Sequence, residues 1–212
     1  MALIAGRSVR CYSAFTMNPF SQSITLSGSH ATLEPLSQDH HDGLVEATRD
    51  GELWKLWYTS VPSPEGMGAE IERRLGLQRE GLMLPWTVRN RATGRIVGMT
   101  TYMNIDALYR RVEIGSTWYA QTEQRTPLNT ECKMMLLTHA FESLKCIAVE
   151  FRTAFFNQAS RRAIERLGAK QDGILRSHQV YADGSLRDTV VFSIIASEWP
   201  TVKLHLTFKL GR

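Results

Sequence analysis

The chain has 212 residues, 43% apolar and 22% charged, with a net charge of +4, which is enough for one domain with a buried core and too apolar for a disordered chain. No apolar run reaches the roughly 18–20 residues of a membrane span, and no dense Lys/Arg run or nucleic-acid motif accompanies the small positive excess, so the expected partner is a compact anion or an acidic surface rather than a membrane or nucleic acid. Three widely spaced cysteines without Cys-x-x-Cys, and six histidines without metal-ligand spacing, read as a cytoplasmic protein with reduced thiols and no metal site.

Residues 1–28 lack periodicity, and the first sixteen carry no acid. They read as a poorly ordered, non-catalytic extension, with Met17 as an alternative start and an Arg/Ser-rich leader as the rival account. Residues 29–212 form one domain. Ala31–Leu36 is a short strand, and Ser37 caps a helix over about 38–49. Trp54, Leu56, Trp57 and Tyr58 then crowd one segment, which reads first as core. Beyond Pro62 and Pro64, 65–80 is a helix. Strands 84–90 and 95–103 flank the turn Asn-Arg-Ala-Thr-Gly.

The strand 110–119 opens the central segment. A polar connection leads to a helix from Pro127, where apolar positions 128, 132, 135, 136, 139, 140 and 144 recur at helical spacing. Thr126 can cap it, and proline suits its first position. Strand 147–155 and a helix over 157–168, closed by glycine, complete a strand–helix–strand–helix run, which requires a parallel pair and a right-handed crossover. Strands at 169–178 and 188–196 follow. Residues 198–210 alternate like a strand.

Three motifs carry a resemblance: Gln-x-x-x-x-Asn-Thr-Glu-x-Lys (124–133), His-Ala-Phe-Glu (139–142) and Asn-x-x-Ser-x-x-Ala-Ile-x-x-Leu-Gly-Ala (157–169). With Asp-Gly-x-x-Arg-Asp-Thr (183–189) and Glu-Trp-Pro (198–200), the chain from about 30 to 210 resembles the GNAT N-acetyltransferases of the RimJ/RimL type. The resemblance implies an α/β (α+β) fold: a mixed, mostly antiparallel sheet with one splayed parallel pair and flanking helices. It also implies acetyl-CoA as co-substrate, a terminal helix after 198, the 54–58 segment as part of the wall of an acceptor pocket, and an amine acceptor, either a protein N-terminus or a small molecule. A homodimer stays open.

The needs of such a ligand point to particular residues. A pyrophosphate wants converging N–H groups at a helix start, which Gln124, Arg125, Thr126, Leu128, Asn129 and Thr130 could offer. The pantetheine arm could pair with strand backbone near Trp118 and Tyr119. Asn157 could bond the arm or cap its helix, and Arg161 or Arg162 could meet a phosphate or face solvent. Two departures from the family pattern stand out: Pro127 where glycine is common, and Ile164 where a tyrosine acid is common. Ser160 is then the candidate acid, or a first-turn capping residue, and Glu113 the candidate base, or a surface carboxylate. His139 reads as a packed histidine; His178 and Tyr181 read as lying near an acceptor entrance. No Gly-x-Ser-x-Gly is present, which favours direct attack over a covalent intermediate. The rival to an enzyme is a non-catalytic acyl-CoA-sensing module, and a dinucleotide-binding dehydrogenase is opposed by the lack of Gly-x-Gly-x-x-Gly.

Overall fold

A computed structural model describes residues 19–211, so residues 1–18 of the extension read over 1–28 lie outside the described residues. The strands are β1 (Leu26–Ser27), β2 (Ala31–Pro35), β3 (Met83–Asn90), β4 (Ile96–Asp106), β5 (Arg111–Tyr119), β6 (Ala148–Ala154), β7 (Lys170–Val180) and β8 (Leu186–Ile195). They form one sheet in the order β1-β2-β3-β4-β5-β6-β8-β7. Every neighbouring pair is antiparallel except β5–β6. The helices are α1 (His41–Arg49), α2 (Met67–Arg79), α3 (Pro127–Thr138), α4 (Gln158–Glu165) and α5 (Trp199–Lys209).

Two apolar cores lie on the two faces of the sheet. The larger joins α3, α4 and α5 through Leu128, Cys132, Leu136, Ile164, Val202 and Leu206. The smaller joins α1 and α2 to Met99 and Trp118 through Leu44, Ala47, Met67 and Ile71. Among the described residues no helix is long and apolar enough to cross a membrane.

Residues 19–28, assigned by sequence to the extension, join the domain. Phe20 is buried, Ile24 O accepts from Trp86 Nε1 at 2.8 Å, and β1 pairs with β2. The Glu131 carboxylate fixes the start of β2 to α3, accepting from the N–H groups of Ser29, His30 and Ala31 at 2.8, 2.6 and 2.9 Å. The Thr126 cap of α3 forms as expected, its hydroxyl accepting from Leu128 N. The buried arc of α3 is wider than the predicted stripe, and takes in Lys133 and Leu137.

The helix then loosens into one π turn, His139–Ser143. This turn docks the C-terminus: Phe141 stacks on Trp199 at 5.3 Å, and Glu142 accepts from Trp199 Nε1 at 2.9 Å. Two separate sequence motifs are thus two sides of one contact. Residues 199–209 are helical, against their alternation. Trp199, Val202 and Leu206 are buried at helical spacing, while Leu204 and Phe208, the other half of the alternating set, are exposed.

Candidate active site

The parallel pair is short. Arg111, Val112 and Glu113 pair with Ala148, Val149 and Glu150, and there β5 and β6 part. From Ile114 onward β5 keeps only its β4 neighbour, so the edge of Ile114–Tyr119 that faces β6 is unpaired with it. Beyond the fork, one extra residue enters β5. Thr101 pairs with Gly115 and Met99 with Trp118, so Ser116 and Thr117 both stand opposite Thr100, and Ser116 is left-handed at φ 46°. A bulge reverses which face later side chains take. Ile114 therefore lies in the larger core, Trp118 in the smaller, and Tyr119 in the larger again.

Glu113 is the last paired residue and sits at the vertex. Only 4% of it is exposed, which overturns the surface-carboxylate alternative. Its Oε2 accepts from Asn104 Nδ2 at 2.7 Å and lies 3.5 Å from Arg152 Nε. Burial raises its pKa, and the Asn104 hydrogen bond and the Arg152 charge oppose that rise. Across the vertex, Glu150 pairs with Arg111 and with Arg152 at 2.9 Å. Its pKa is lowered, the hydrogen bonds from Arg111 and Arg152 outweighing a burial effect that is the largest single cause. Two carboxyls a strand apart are thus driven in opposite directions. Gly115 gives it room: a Cβ there would stand 2.8 Å from Glu113 Oε1 and 2.6 Å from Met103 Sδ.

At the start of α3, the N–H groups of Arg125, Thr126, Asn129 and Thr130 meet no acceptor among the described residues. Asn129 Oδ1 is buried and likewise unpartnered. Arg125 turns the chain with φ 63° and is exposed. Pro127 occupies the position whose N–H a helix never uses, so it costs α3 nothing. Leu128 does not belong with this group, because its side chain is in the core and its N–H is held by Thr126. Gln124 reaches back to the Tyr119 carbonyl at 3.4 Å, at the unpaired end of β5. The Trp118 and Tyr119 side chains are buried on opposite faces, so only their backbone is available at the cleft.

Asn157 serves as a cap, its Oδ1 accepting from Ser160 N at 3.0 Å, which leaves Nδ2 for another partner. The half-buried Ser160 forms no hydrogen bond through its hydroxyl within the described chain. Arg161 is engaged: it lies over the Phe155 ring at 4.9 Å and donates to the Phe155 carbonyl at 3.3 Å. Ile164 is buried.

The segment at 54–58 is not core. Trp57 is 56% exposed and touches three rings, Tyr58, Phe156 and Tyr181, at 5.5, 5.7 and 5.5 Å. It thereby joins the α1–α2 connection, the end of β6 and the β7–β8 turn, the same end of the sheet at which the fork opens. His139 is half-buried and stacked on Tyr102 at 5.9 Å, while His178 Nδ1 lies 3.1 Å from Thr189 Oγ1. Sequence reasoning missed Asn104, Arg152, Arg74 and Lys133. Lys133 alone had a signal, since it closes one of the quoted motifs.

Residues 30–170 match the acetyltransferase (GNAT) domain family. YdaF of Bacillus subtilis (strain 168), provisionally named a ribosomal N-acetyltransferase, is 33% identical over 106 residues, 50% of this chain; the aligned stretch spans 57% of YdaF's own length. The crystal structure of a GCN5-related N-acetyltransferase from Brucella melitensis superposes with a TM-score of 0.80 at 29% identity, covering 89% of this chain and 86% of that one. Mycobacterium smegmatis RimJ, solved in complex with CoA-disulfide, shares the fold at 20% identity, with a TM-score of 0.76 over 91% of this chain and 97% of that one.

Proposed function

Because the chain belongs to the GNAT acetyltransferase family, we propose that it transfers the acetyl group of acetyl-CoA to a primary amine by direct attack, with a protein N-terminal α-amine as acceptor. The observation that carries this reading is the fork, where an unpaired strand edge, a buried carboxyl of raised pKa and a cluster of acceptorless N–H groups occur along one stretch, 113–130. When bound, acetyl-CoA supplies a thioester as acetyl donor. The N–H groups of Arg125, Thr126, Asn129 and Thr130, at the positive end of α3, would hold its pyrophosphate, with the Arg125 guanidinium beside them. The free edge of β5 would take the amides of its arm as another strand would, and Asn157 Nδ2 adds a donor.

Glu113 takes the proton of the acceptor, directly or through a water; its raised pKa brings it closer to the amine than an ordinary carboxylate stands. The Ser160 hydroxyl donates toward the departing sulfur, in the place of a tyrosine acid that Ile164 cannot supply. An α-amine, with a pKa of about 7.7–8.0, is partly neutral at pH 7, whereas a lysine near 10.4 is almost wholly charged. A modest base therefore favours α-amines. The Trp57, Phe156 and Tyr181 rings offer a surface for the residues behind such a terminus.

Acetyl-CoA should raise the melting temperature, as a ligand selective for the native state does. Replacing Asn129 and Thr130 with proline should abolish that protection with the apo fold intact. On a peptide carrying both nitrogens, mass spectrometry should find the α-amine acetylated faster on the order of tenfold or more at pH 7. Acetate mainly on lysine, with Glu113→Gln as fast as wild type, would overturn the assignment. Thermal protection without release of CoA across an amine panel would favour the acyl-CoA-sensing alternative, which the buried Ile164 keeps in play.

A further inference from the structure

The bulge in β5 is held from both faces of the sheet by buried basic side chains that neither the fold nor the proposed chemistry has used. Arg74, on α2, is 2% exposed and reaches it through the smaller core. It donates to Thr101 Oγ1 at 2.6 Å and twice to the carbonyl of Ser116 at 3.2 Å, and is paired with Glu70 at 2.6 Å. Lys133, on α3, is 6% exposed and reaches it through the larger core. Its Nζ donates to Thr100 Oγ1 at 3.2 Å and Thr117 Oγ1 at 2.8 Å, and those hydroxyls bond each other at 2.9 Å. The residues held are consecutive on each strand: Thr100 and Thr101 on β4, Ser116 and Thr117 on β5. Together they make up the two-against-one step of the bulge.

Burying basic side chains in this way is costly, and well-packed apolar side chains often stabilise a core as well or better. Arg74 has a carboxylate partner; among the described residues Lys133 has only hydroxyls. What the arrangement fixes is register. Loss of the extra residue from the ladder would swap Trp118 and Tyr119 between cores and turn the free N–H and C=O groups beyond the fork the other way. Ser116 O, the carbonyl that the bulge withdraws from ordinary pairing, is the atom that Arg74 holds.

We propose that Arg74 and Lys133 are positioning residues that lock the β5 bulge, so that the edge of Thr117–Tyr119 is presented to the arm of acetyl-CoA. This rests on the reading of the site as an acetyl-CoA cleft, and the test separates the two. The full chain is compared with Arg74→Lys, which keeps the charge but cannot span both Thr101 and Ser116, and with Lys133→Met, which keeps the length without donors. Circular dichroism selects a temperature at which each variant is folded. At that temperature the dissociation constant for acetyl-CoA, the separate KM values for acetyl-CoA and acceptor peptide, and hydrogen exchange at Thr117–Tyr119 in the ligand-free protein are measured.

The expected result is faster exchange at those amides and at least tenfold weaker acetyl-CoA binding, with acceptor KM changed less than threefold. A purely structural role would lower the melting temperature and leave both the dissociation constant and the KM split as in wild type. Folded variants that bind acetyl-CoA within threefold of wild type would overturn the proposal. A wild-type protein that acetyl-CoA does not bind would overturn instead the reading on which it rests, while the exchange comparison would still report on the lock.

Discussion

Below Glu113, β5 is hydrogen-bonded along both edges, to β4 and to β6; beyond it, β4 alone holds the strand, and buried side chains supply what the second neighbour would have given. In the first half the charged groups Glu113, Glu150, Arg111 and Arg152 pair with one another beside the ladder. In the second half, Arg74 and Lys133 grip the backbone step itself. Ladder bonds on both edges fix the register of the paired half without help from side chains, which leaves a side chain there free for other use. An open edge can be kept open only if something other than a strand fixes it.

The comparison breaks most sharply at Gly98, which pairs with Tyr119 at the far end of the open half. A Cβ built there would overlap the Trp118 carbonyl and stand 2.9 Å from Tyr119 Cα, and backbone cannot step aside as a side chain can. Gly98→Ala should cost about 3 kcal/mol or more, read as a fall in the urea midpoint. Gly115→Ala, whose Cβ would meet only the ends of Met103 and Glu113, should cost clearly less. Equal losses would mean that the backbone approach of β4 to the far end of the open half is no tighter a constraint than the side-chain contacts beside the fork.

Next comes Arg152 in the paired half. Arg152→Leu leaves Glu113 buried without its cation and Glu150 with Arg111 alone. Because Arg152 is partly exposed, the loss should be about 1–2 kcal/mol rather than the larger figure for a fully buried pair. The loss should shrink toward pH 5. Without the arginine the Glu113 pKa rises further, and a raised carboxyl pKa gives stability at low pH that is lost as pH climbs through it. Urea unfolding at pH 5 and pH 8 measures this, and a loss independent of pH would sink the charge-based account.

These same residues show what a sequence can and cannot disclose. Helices α3 and α4, the caps at Thr126 and Asn157, and the order of strands follow from local pattern, because capping and periodicity are short-range. The fork does not, because it is defined by where pairing between residues 37 positions apart ends rather than by any residue type; Glu113 reads as a candidate base or a surface acid because Asn104 and Arg152, which enclose it, come from other strands. The 54–58 segment reads first as core and, by resemblance, as a wall of the acceptor pocket, since aromatic density marks a core or an exposed surface equally well; the exposed Trp57 excludes the core reading. Residues 198–210 read two ways, as a strand by alternation and as a helix by resemblance, because Leu204 and Phe208 complete an alternation that their exposure makes irrelevant; the helix is what forms.

The open half is tested in turn through pH. Burial lowers the Lys133 pKa to about 7. The groups facing it are the Thr100 and Thr117 hydroxyls and the Cys132 thiol, itself pushed up to about 12 and so uncharged. A lysine whose pKa falls on folding contributes stability above its unfolded value, near 10.5, that is lost as pH falls toward 7. Wild type should therefore gain stability between pH 7 and pH 9, by at most about 1.4 kcal/mol per pH unit for one proton. Lys133→Met should flatten that slope. An unchanged slope in the variant would mean that Lys133 stays charged throughout and that its hydroxyl partners fully compensate it.

The smallest stability change is expected at the vertex, from Glu113→Gln. Burial, the largest cause, raises the Glu113 pKa above its ordinary 4.5 against the Asn104 hydrogen bond and the Arg152 charge. A carboxyl whose pKa rises on folding binds its proton more tightly in the fold. Its contribution is in place below 4.5 and lost as pH climbs through the folded value. At pH 7.5 the wild type therefore holds a carboxylate that its surroundings disfavour. Glutamine removes that charge, keeps an oxygen for Asn104 Nδ2, and leaves Arg152 its bond to Glu150 at 2.9 Å. Its stability at pH 7.5 should equal or exceed wild type within about 1 kcal/mol, while at pH 5 wild type should regain ground. In the same enzyme the acid limb of kcat/KM assigned to Glu113 should disappear and turnover should fall, so stability and activity move apart. Urea unfolding at the two pH values, run beside a pH–rate series on one peptide, gives both readings. A loss well beyond 1 kcal/mol at pH 7.5 would show that the Arg152 pairing holds this carboxylate as a structural anion, and the proton acceptor would have to be sought elsewhere along the fork.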